Sequence, residues 1–223
     1  MVSFTEENYL KAIFHLSEQE NGKLVSTNDL AEIMQTRAAS VTDMLKKLSE
    51  KKYIHYKKYQ GVALTAEGNS IALKIIRKHR LWEVFLVEKL GFKWDEIHDL
   101  AEQLEHIKSQ KLTDRLDTFL GHPEFDPHGD PIPNAEGVMP TIRAVKLSEV
   151  ETGQNFTIMG VSEDSSTFLQ HLDRLGLKLG LELKLADISD FDQSLELELD
   201  NGQSIRVSSE VARNIQAKVR SVS

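Results

Sequence analysis

The chain has 223 residues, 40% of them apolar, which allows two or three small domains with hydrophobic cores, while its net charge of -8 taken alone argues weakly against a nucleic-acid binder. The absence of cysteine excludes disulfides, thiolate metal sites and cysteine nucleophiles. No run of 18 apolar residues occurs, and "MVSFTEENYL" lacks the basic and apolar regions of a secretory signal. We therefore expect a cytoplasmic protein with no membrane partner.

The first 74 residues have the pattern of a winged helix-turn-helix domain. Residues 5–19 place apolar side chains at helical spacing, and "STNDLAEIMQ" and "TRAASVTDMLKKLSEKKYI" predict two more helices with almost no linker between them. Two short β-type runs, at 53–56 and 62–65, then flank a basic turn. Residues 37–60 hold seven basic and two acidic residues, so this acidic protein has a local basic patch suited to DNA.

The rest of the chain predicts a second helical region and then a β-domain. Helical periodicity runs from Ser70 to about Leu90, and residues 95–120 supply one or two further helices. Residues 121–140 hold all five prolines and three glycines, which marks a domain boundary. Beyond it, segments alternating in period two surround one short helix at 164–176. The sequence thus predicts a mainly α chain with a small all-β C-terminal domain, divided at 1–74, 75–140 and 141–223.

The stretch "HDLAEQLEH", residues 98–106, is a candidate metal site. On one helix, four of its side chains fall within a face about 100° wide: His98, Glu102, Glu105 and His106. A solvated polar face is the simpler alternative, but such crowding of carboxylates favours a bound cation. A second pair, His79 and Glu83, has i,i+4 spacing, so the two helices offer enough ligands for two divalent ions. Imidazole and carboxylate suit Mn, Fe, Co, Ni or Zn.

In combination, these segments resemble the diphtheria toxin repressor family of metal-dependent transcription regulators. The resemblance covers nearly the whole chain and is carried by "DLAEIMQTRAASVTDMLKKL", "RKHRLWEVFL", "HDLAEQLEH" and "PHGDPIP". It implies a winged helix-turn-helix, a helical metal-binding and dimerisation domain, and an SH3-like barrel similar to the ferrous-transport A-type module. It further implies a homodimeric repressor, not an enzyme, that binds a palindromic double-stranded DNA operator and controls metal-ion homeostasis.

The resemblance also implies two metal sites in each subunit. The first corresponds to Asn8, Glu102, Glu105 and His106. The second corresponds to His79, Glu83 and His98, closed by Asp126 or His128 and by Glu163 or Asp164. Iron-type members carry cysteine where this chain has Glu102, whereas manganese-type members carry glutamate. The resemblance therefore favours Mn²⁺ over Fe²⁺, with Zn²⁺, Co²⁺ or Ni²⁺ as substitutes in vitro. Asn8 stands where manganese-type members have aspartate, so this site has less charge, and Glu7 is an alternative ligand.

DNA contacts are implied for the second helix of the motif and the wing. The first turns of that helix would meet base edges, and lysines there and in the wing would meet phosphates. The implied residues are Thr27, Arg37, Ala39, Ser40, Thr42, Asp43, Lys46, Lys47, Lys57 and Lys58. Lysines at this density are also common on surfaces that only need to stay soluble. The small residues Ala38, Ala39 and Ser40 favour the DNA interpretation, because they let a helix approach a groove.

We therefore predict a Mn²⁺-responsive DNA-binding repressor, with three alternatives open. The first is an iron-responsive regulator of the same family. The second is a di-metal hydrolase, which a ligand set with no open position and no separate general base disfavours. The third is a metal-independent winged helix that senses a small molecule, which leaves the histidine and glutamate face unexplained.

Overall fold

The computed structural model describes residues 2–19, 23–57, 60–141 and 143–220. By its internal contacts the chain divides into two compact units. The N-terminal unit comprises Met1–His79, Glu102–Arg115 and Pro133–Met139. The C-terminal unit comprises Arg80–Ala101, Leu116–Ile132 and Pro140–Ser223. The predicted division at 1–74, 75–140 and 141–223 stays a prediction.

The secondary structure is helical up to residue 119 except for one hairpin, and mainly β after residue 144. The helices are α1 Phe4–Gln19, α2 Thr27–Ile33, α3 Ala38–Glu50, α4 Ala66–Leu90, α5 His98–Leu104, α6 Gln110–Phe119, α7 Ser166–Leu175 and α8 Ser209–Arg213. The strands are β1 Ile54–Lys57, β2 Gly61–Leu64, β3 Val145–Lys146, β4 Asn155–Val161, β5 Glu182–Ile188, β6 Leu195–Leu199, β7 Ser204–Val207 and β8 Ile215–Val219. This confirms the predicted fold class. Within the described ranges no helix combines the length and apolar character needed to cross a membrane.

The N-terminal unit contains the winged helix-turn-helix. Ser26 caps α2 by accepting from the backbone N of Asp29 at 3.1 Å, and only four residues separate α2 from α3. Strands β1 and β2 pair antiparallel from Ile54 opposite Leu64 to Lys57 opposite Gly61. The buried face of α3 is formed by Val41, Leu45 and Leu48. They pack with α1 and α4 residues such as Leu10, Ile13 and Ile76 in one core.

The C-terminal unit contains a six-stranded antiparallel sheet in the order β3-β8-β4-β5-β6-β7. Its core joins the inward side chains of the sheet to one face of α7, including Phe156, Leu169, Leu172, Leu185 and Leu197. One sequence prediction was wrong here. Residues 203–212 were expected to form a single β-segment, but Ser208 ends β7 and caps α8 by accepting from Val211 N at 3.2 Å. The final strand β8 was not predicted.

Helix α5 is shorter than the sequence predicts. It ends at Leu104, so Glu105 and His106 lie in the turn that follows it. The projection of residues 98–106 onto one helical face was therefore wrong for these two residues. His98 and Glu102 also belong to different compact units, although both are in α5.

Candidate metal centres and DNA-binding face

The first candidate metal centre lies in the N-terminal unit around Glu105. This carboxylate is fully buried and lies 2.6 Å from Nδ1 of His79. The ammonium of Lys11 donates to both of its oxygens at 2.9 Å, and to Oε1 of Glu102 at 2.5 Å. One ligand atom from each of His79, Glu102 and Glu105 lies within 4.8 Å of the other two. The cluster thus joins three metal-binding groups with one built-in positive charge.

Glu105 is kept in the form that binds metal. Burial by itself would raise the pKa of its carboxyl group. The hydrogen bond with His79 and the charge of Lys11 outweigh that effect, so the pKa is lowered overall. Because a carboxylate must be ionised to ligate a metal, Glu105 needs no proton loss on binding near neutral pH.

Helix α1 brings two further polar groups to this region. Oε2 of Glu7 lies 2.7 Å from Nδ1 of His106, whose ring stacks on Phe4 with 4.6 Å between ring centroids. Asn8 follows Glu7, and its Oδ1 is buried with no hydrogen-bond partner among the described residues. Asn8 precedes Lys11 by three residues, so the two share a face of α1. A buried acceptor without a partner is costly, which points to a ligand at this position.

These donors fit a hard divalent cation. Carboxylate and amide oxygens with imidazole nitrogen suit Mn²⁺ and other first-row ions, and a bound cation would satisfy Oδ1 of Asn8. Of the predicted first site, the structure brings Glu102 and Glu105 together, and Nε2 of His106 lies 3.8 Å from Oε1 of Glu105. It adds His79, which the sequence analysis placed in the second site. The assignment of these residues as ligands stays a prediction.

The second candidate centre is buried in the C-terminal unit. It consists of Glu83, Asp126 and His128, whose side chains are at most 5% exposed and whose ligand atoms lie within 4.8 Å of one another. Oδ1 of Asp126 accepts from the backbone N of His128 at 2.8 Å and from that of Asp130 at 3.0 Å. Nε2 of His128 lies 2.8 Å from the carbonyl oxygen of Trp94. These contacts orient the carboxylate and the imidazole before any ion binds.

Close backbone packing holds His128 in this position. Its carbonyl oxygen accepts from the backbone N of Val161 in β4 at 2.9 Å. The next residue, Gly129, has a φ of +89°, and a Cβ there would lie 2.2 Å from the carbonyl oxygen of Met159. Only glycine fits this approach, so Gly129 fixes the segment that carries both Asp126 and His128.

The charges of the second centre are strongly coupled. Burial, together with the charges of Glu83 and Asp130, raises the pKa of Asp126. Burial would lower the pKa of His128, but its hydrogen bond with Glu83 and the nearby carboxylates raise it instead. Arg80 offsets part of the negative charge, with Nε 3.6 Å from Oδ2 of Asp126. A divalent ion would take the place of the proton on His128, since only neutral imidazole ligates.

The other residues predicted for the second site are assigned to both compact units. His79 belongs to the N-terminal unit, where it contacts Glu105. In the C-terminal unit, Nδ1 of His98 lies 3.6 Å from Oδ2 of Asp164, and Glu163 accepts from the backbone N of Ser165 at 3.0 Å. The grouping of His79, Glu83 and His98, and the choice between Glu163 and Asp164, stay predictions.

The described residues of the predicted DNA-contact set lie at the start of α2, on α3 with its cap, and in the wing. The first turn of α3 and its preceding cap are exposed, opposite the buried face formed by Val41, Leu45 and Leu48. The exposed residues of the predicted set are Arg37, Ala39, Ser40, Asp43, Lys46, Lys47 and Lys57. Thr27 and Thr42 are partly exposed, and Oγ1 of Thr42 donates to the carbonyl oxygen of Ala38 at 2.9 Å. Lys58 lies outside the described residues. DNA contact by these residues stays a prediction.

A carboxylate that was not predicted from the sequence ties α3 to α1. Glu6 is fully buried and accepts from Nζ of Lys51 at 2.7 Å, with Nζ of Lys47 at 3.1 Å. Burial would raise its pKa, but the hydrogen bonds from Lys51, the backbone of Ser3 and Lys47 lower it to about 2. Lys11 and Arg80 were missed as well. For Lys11 a signal existed in the i,i+3 spacing from Asn8, whereas Glu6 and Arg80 depend on distant contacts.

Three family models together match most of the chain. Residues 1–62 match "Iron dependent repressor, N-terminal DNA binding domain", and residues 65–134 match "Iron dependent repressor, metal binding and dimerisation domain". Residues 145–219 match the FeoA domain. A solved structure titled "Manganese-dependent transcriptional repressor complex with manganese" is 35% identical, with a TM-score of 0.87, and the match covers 96% of this chain and all of that one. The chain belongs to the iron-dependent repressor family.

Two curated relatives extend the family assignment. An HTH-type transcriptional regulator of Methanocaldococcus jannaschii is 37% identical to the repressor over 114 residues, which cover 51% of this chain and 90% of that protein. The iron-dependent repressor of Mycobacterium tuberculosis is 30% identical over 162 residues, or 70% of each chain. The repressor therefore has the DNA-binding, metal-binding and dimerisation domains of this family. It is a transcriptional regulator and not an enzyme, so the hydrolase alternative falls away.

Proposed function

We propose that the repressor is activated by Mn²⁺ and, as a homodimer in the cytoplasm, represses genes of metal-ion homeostasis by binding a palindromic operator. The observation that carries this proposal is the cluster around Glu105. It joins two carboxylates, an imidazole and α1, whose Asn8 holds a buried acceptor with no hydrogen-bond partner in the described part of the chain. Recognition helices of a dimer spaced by about 34 Å, one turn of DNA, would match the two halves of a palindrome.

Manganese is favoured over iron by the chemistry of the donors. Both clusters offer carboxylate oxygen and imidazole nitrogen, and the chain has no cysteine to supply a softer ligand. The relative whose title names manganese aligns with 96% of this chain, which agrees with that chemistry. An iron-responsive repressor is the second candidate, because a relative with 30% identity is named an iron-dependent repressor.

Metal would act by fixing α1 to the turn after α5. Glu7 and Asn8 supply groups from α1, while Glu105 and His106 supply groups from the turn. A divalent ion, when bound, neutralises the carboxylates and holds ligands from both segments in one geometry. Glu6 lies next to Glu7 on α1 and bonds Lys51 at the end of α3. The same turn of α1 is therefore linked to the metal cluster and to the DNA-reading helix.

The buried cluster of Glu83, Asp126 and His128 would form the second metal site. Its groups are preoriented by backbone hydrogen bonds, and a metal must replace the protons that the raised pKa values of His128 and Asp126 favour. His79, His98, Glu163 and Asp164 remain candidate ligands of that site. Because it lies in the unit with the FeoA domain, we expect it to support stability more than the direct switching of α1.

Operator binding with and without defined metals tests the proposal. Fluorescence anisotropy on promoter fragments from the source genome should show tight binding with Mn²⁺ and weak binding with a chelator. Anaerobic Fe²⁺ and Zn²⁺ series would rank the activating ions, and footprinting would show whether the protected site has two-fold symmetry. Glu105→Gln is the matched variant, since it keeps the shape of the side chain but removes its charge. Equal binding by the chelated and Mn²⁺-loaded protein would refute a metal-responsive repressor.

A further inference from the structure

Lys11 lies inside the cluster that would bind the effector metal. Its ammonium donates to Glu102 and to both oxygens of Glu105, and its side chain is only 12% exposed. The same two carboxylates share a 4.8 Å cluster of ligand atoms with His79. An ammonium that bonds the carboxylates of a metal site competes with the metal for the same lone pairs.

We propose that Lys11 is a built-in cation that holds the effector site closed in the metal-free repressor and must be displaced when the metal binds. This inference rests on the proposed function and adds a regulatory residue to it. Lys11 does not ligate. It sets the metal concentration at which the site fills.

The charges of the cluster support this role. With Lys11 present, Glu102 and Glu105 are half neutralised before any metal arrives, and a divalent ion added beside the ammonium exceeds the charge of these two carboxylates. Without Lys11, the same ion would match the two carboxylates. The two cations would also repel each other in a site of low dielectric, where charges interact more strongly than in water. Displacement is feasible because a lysine side chain is long and flexible.

The contacts also explain how the metal-free protein tolerates the cluster. Glu105 is fully buried, and a buried carboxylate that loses its partner is strongly destabilising. Lys11 supplies that partner and links α1 to the turn after α5, the two segments that the metal would join. Metal binding therefore exchanges one cross-link for another. The apparent affinity for metal is the intrinsic affinity multiplied by the fraction of molecules in which the ammonium has left the site.

Metal binding by Lys11→Met in the full-length protein tests the inference. Methionine keeps the length of the side chain and removes its charge. The site of interest is the one that Glu105→Gln removes. Calorimetry should show that Lys11→Met binds Mn²⁺ at this site at least about tenfold more tightly than the parent does, a difference of ~1.4 kcal/mol. The metal-free melting temperature should fall at the same time. Lys11→Arg keeps a positive charge and should keep the parental affinity. Lys184→Met removes an exposed lysine paired with Glu198 and is the matched control.

A purely structural ion pair predicts a different result. In that case Lys11→Met would lower the melting temperature equally with and without metal, and the affinity would be unchanged or weaker, which overturns the inference. If the metal-free variant is unfolded, Lys11→Gln is measured instead by the same criteria. A parent protein that binds no metal at all would refute the proposed function itself, so the two failures are distinguishable.

Chemical labelling gives a second, independent readout. Limited acetylation followed by mass spectrometry should label Lys11 slowly in the metal-free protein and faster once Mn²⁺ is bound, because displacement exposes the amine. Lys184 should label equally in both states. Slower labelling of Lys11 on metal binding would overturn the inference.

Discussion

Nδ1 of His106 lies 2.7 Å from Oε2 of Glu7, so a residue at the end of the predicted metal motif is joined to the first turn of α1. The two residues are 99 positions apart in the sequence. The next residue of α1 is Asn8, whose buried Oδ1 has no hydrogen-bond partner among the described residues. This arrangement makes the α1 turn of Glu7 and Asn8 the place where metal and helix position would be coupled.

Asn8→Ala should separate metal binding from stability. The substitution removes a buried acceptor for which the described ranges supply no hydrogen-bond partner, and alanine favours a helix more than asparagine does. We expect the metal-free protein to be as stable as the parent or more stable by about 1 kcal/mol, while its Mn²⁺ affinity falls. Urea unfolding with chelator and calorimetry with Mn²⁺ measure the two effects. A less stable variant with parental affinity would show that Asn8 is structural.

Asn8→Asp should have the opposite effect on metal binding. An added carboxylate brings a full negative charge to the site, so Mn²⁺ affinity should rise, while the metal-free protein should lose stability because Glu7 and Glu105 lie in the same region. The same calorimetry measures the change. Parental affinity in this variant would place the Asn8 side chain outside the site.

Glu6 should stabilise the protein in a pH-dependent way. Its folded pKa, about 2, lies below the ordinary value of 4.5. Its contribution is therefore fully present above about pH 4.5 and is lost as the pH falls towards 2. At pH 7, Glu6→Gln should unfold at lower urea than the parent, with a free energy of unfolding lower by about 1–2 kcal/mol. The difference is this small because Lys47 and Lys51 are partly solvated. The difference should shrink at pH 3. A constant difference across this range would contradict the account.

Glu83→Gln should remove one metal ion without removing the other. Glu83 belongs to the buried cluster with Asp126 and His128 in the C-terminal unit, whereas Glu105 lies in the N-terminal unit. We expect inductively coupled plasma mass spectrometry of the Mn²⁺-loaded variant to find one ion fewer for each subunit. Glu83→Gln should still bind the ion that Glu105→Gln loses. Loss of both ions from either variant would show that the two clusters do not bind independently.

Arg37 and Lys57 should affect DNA binding in different ways. Arg37 is exposed directly before α3, where an arginine can read a guanine edge, so Arg37→Ala should reduce discrimination by about 1–3 kcal/mol for one base pair. Lys57 ends β1 in the wing. Lys57→Ala should therefore weaken binding to all DNA sequences alike and reduce the slope of log affinity against log salt concentration by roughly one. Anisotropy on operator and scrambled duplexes over a salt series distinguishes the two. If both variants lose only nonspecific affinity, the assignment of α3 is wrong.

Local sequence patterns were enough to predict α3, the hairpin β1–β2 and the alternating strands of the C-terminal unit. Their signals are a 3.6-residue apolar period, a short turn and a two-residue period, which need no knowledge of distant contacts. The end of α5 was harder to predict, because nothing in "HDLAEQLEH" marks a stop after Leu104. Strand β8 was missed because the short helix α8 interrupts the β-pattern just before it.

The composition of the metal clusters depends on contacts that one sequence does not show. Lys11 meets Glu102 across 91 residues, and Glu6 meets Lys51 across 45. The predicted pairing of His79 with Glu83 rests on their i,i+4 spacing and stays a prediction. The contact of His79 with Glu105, 26 positions away, has no such local signal. Spacing along one helix identified residue types able to bind metal, but tertiary packing decides which of them meet.

The central claim is that metal bound at the Glu105 cluster and DNA bound at α3 stabilise the same state of the repressor. Linkage then requires operator DNA to raise the affinity for Mn²⁺ by the same factor by which Mn²⁺ raises the affinity for the operator. The direct measurement is Mn²⁺ titration of the full-length protein with operator duplex and with a scrambled duplex of equal length. We predict tighter Mn²⁺ binding with the operator, by about 5- to 150-fold, and no such difference in Glu105→Gln. Equal Mn²⁺ affinities on the two duplexes for the parent protein would contradict the account.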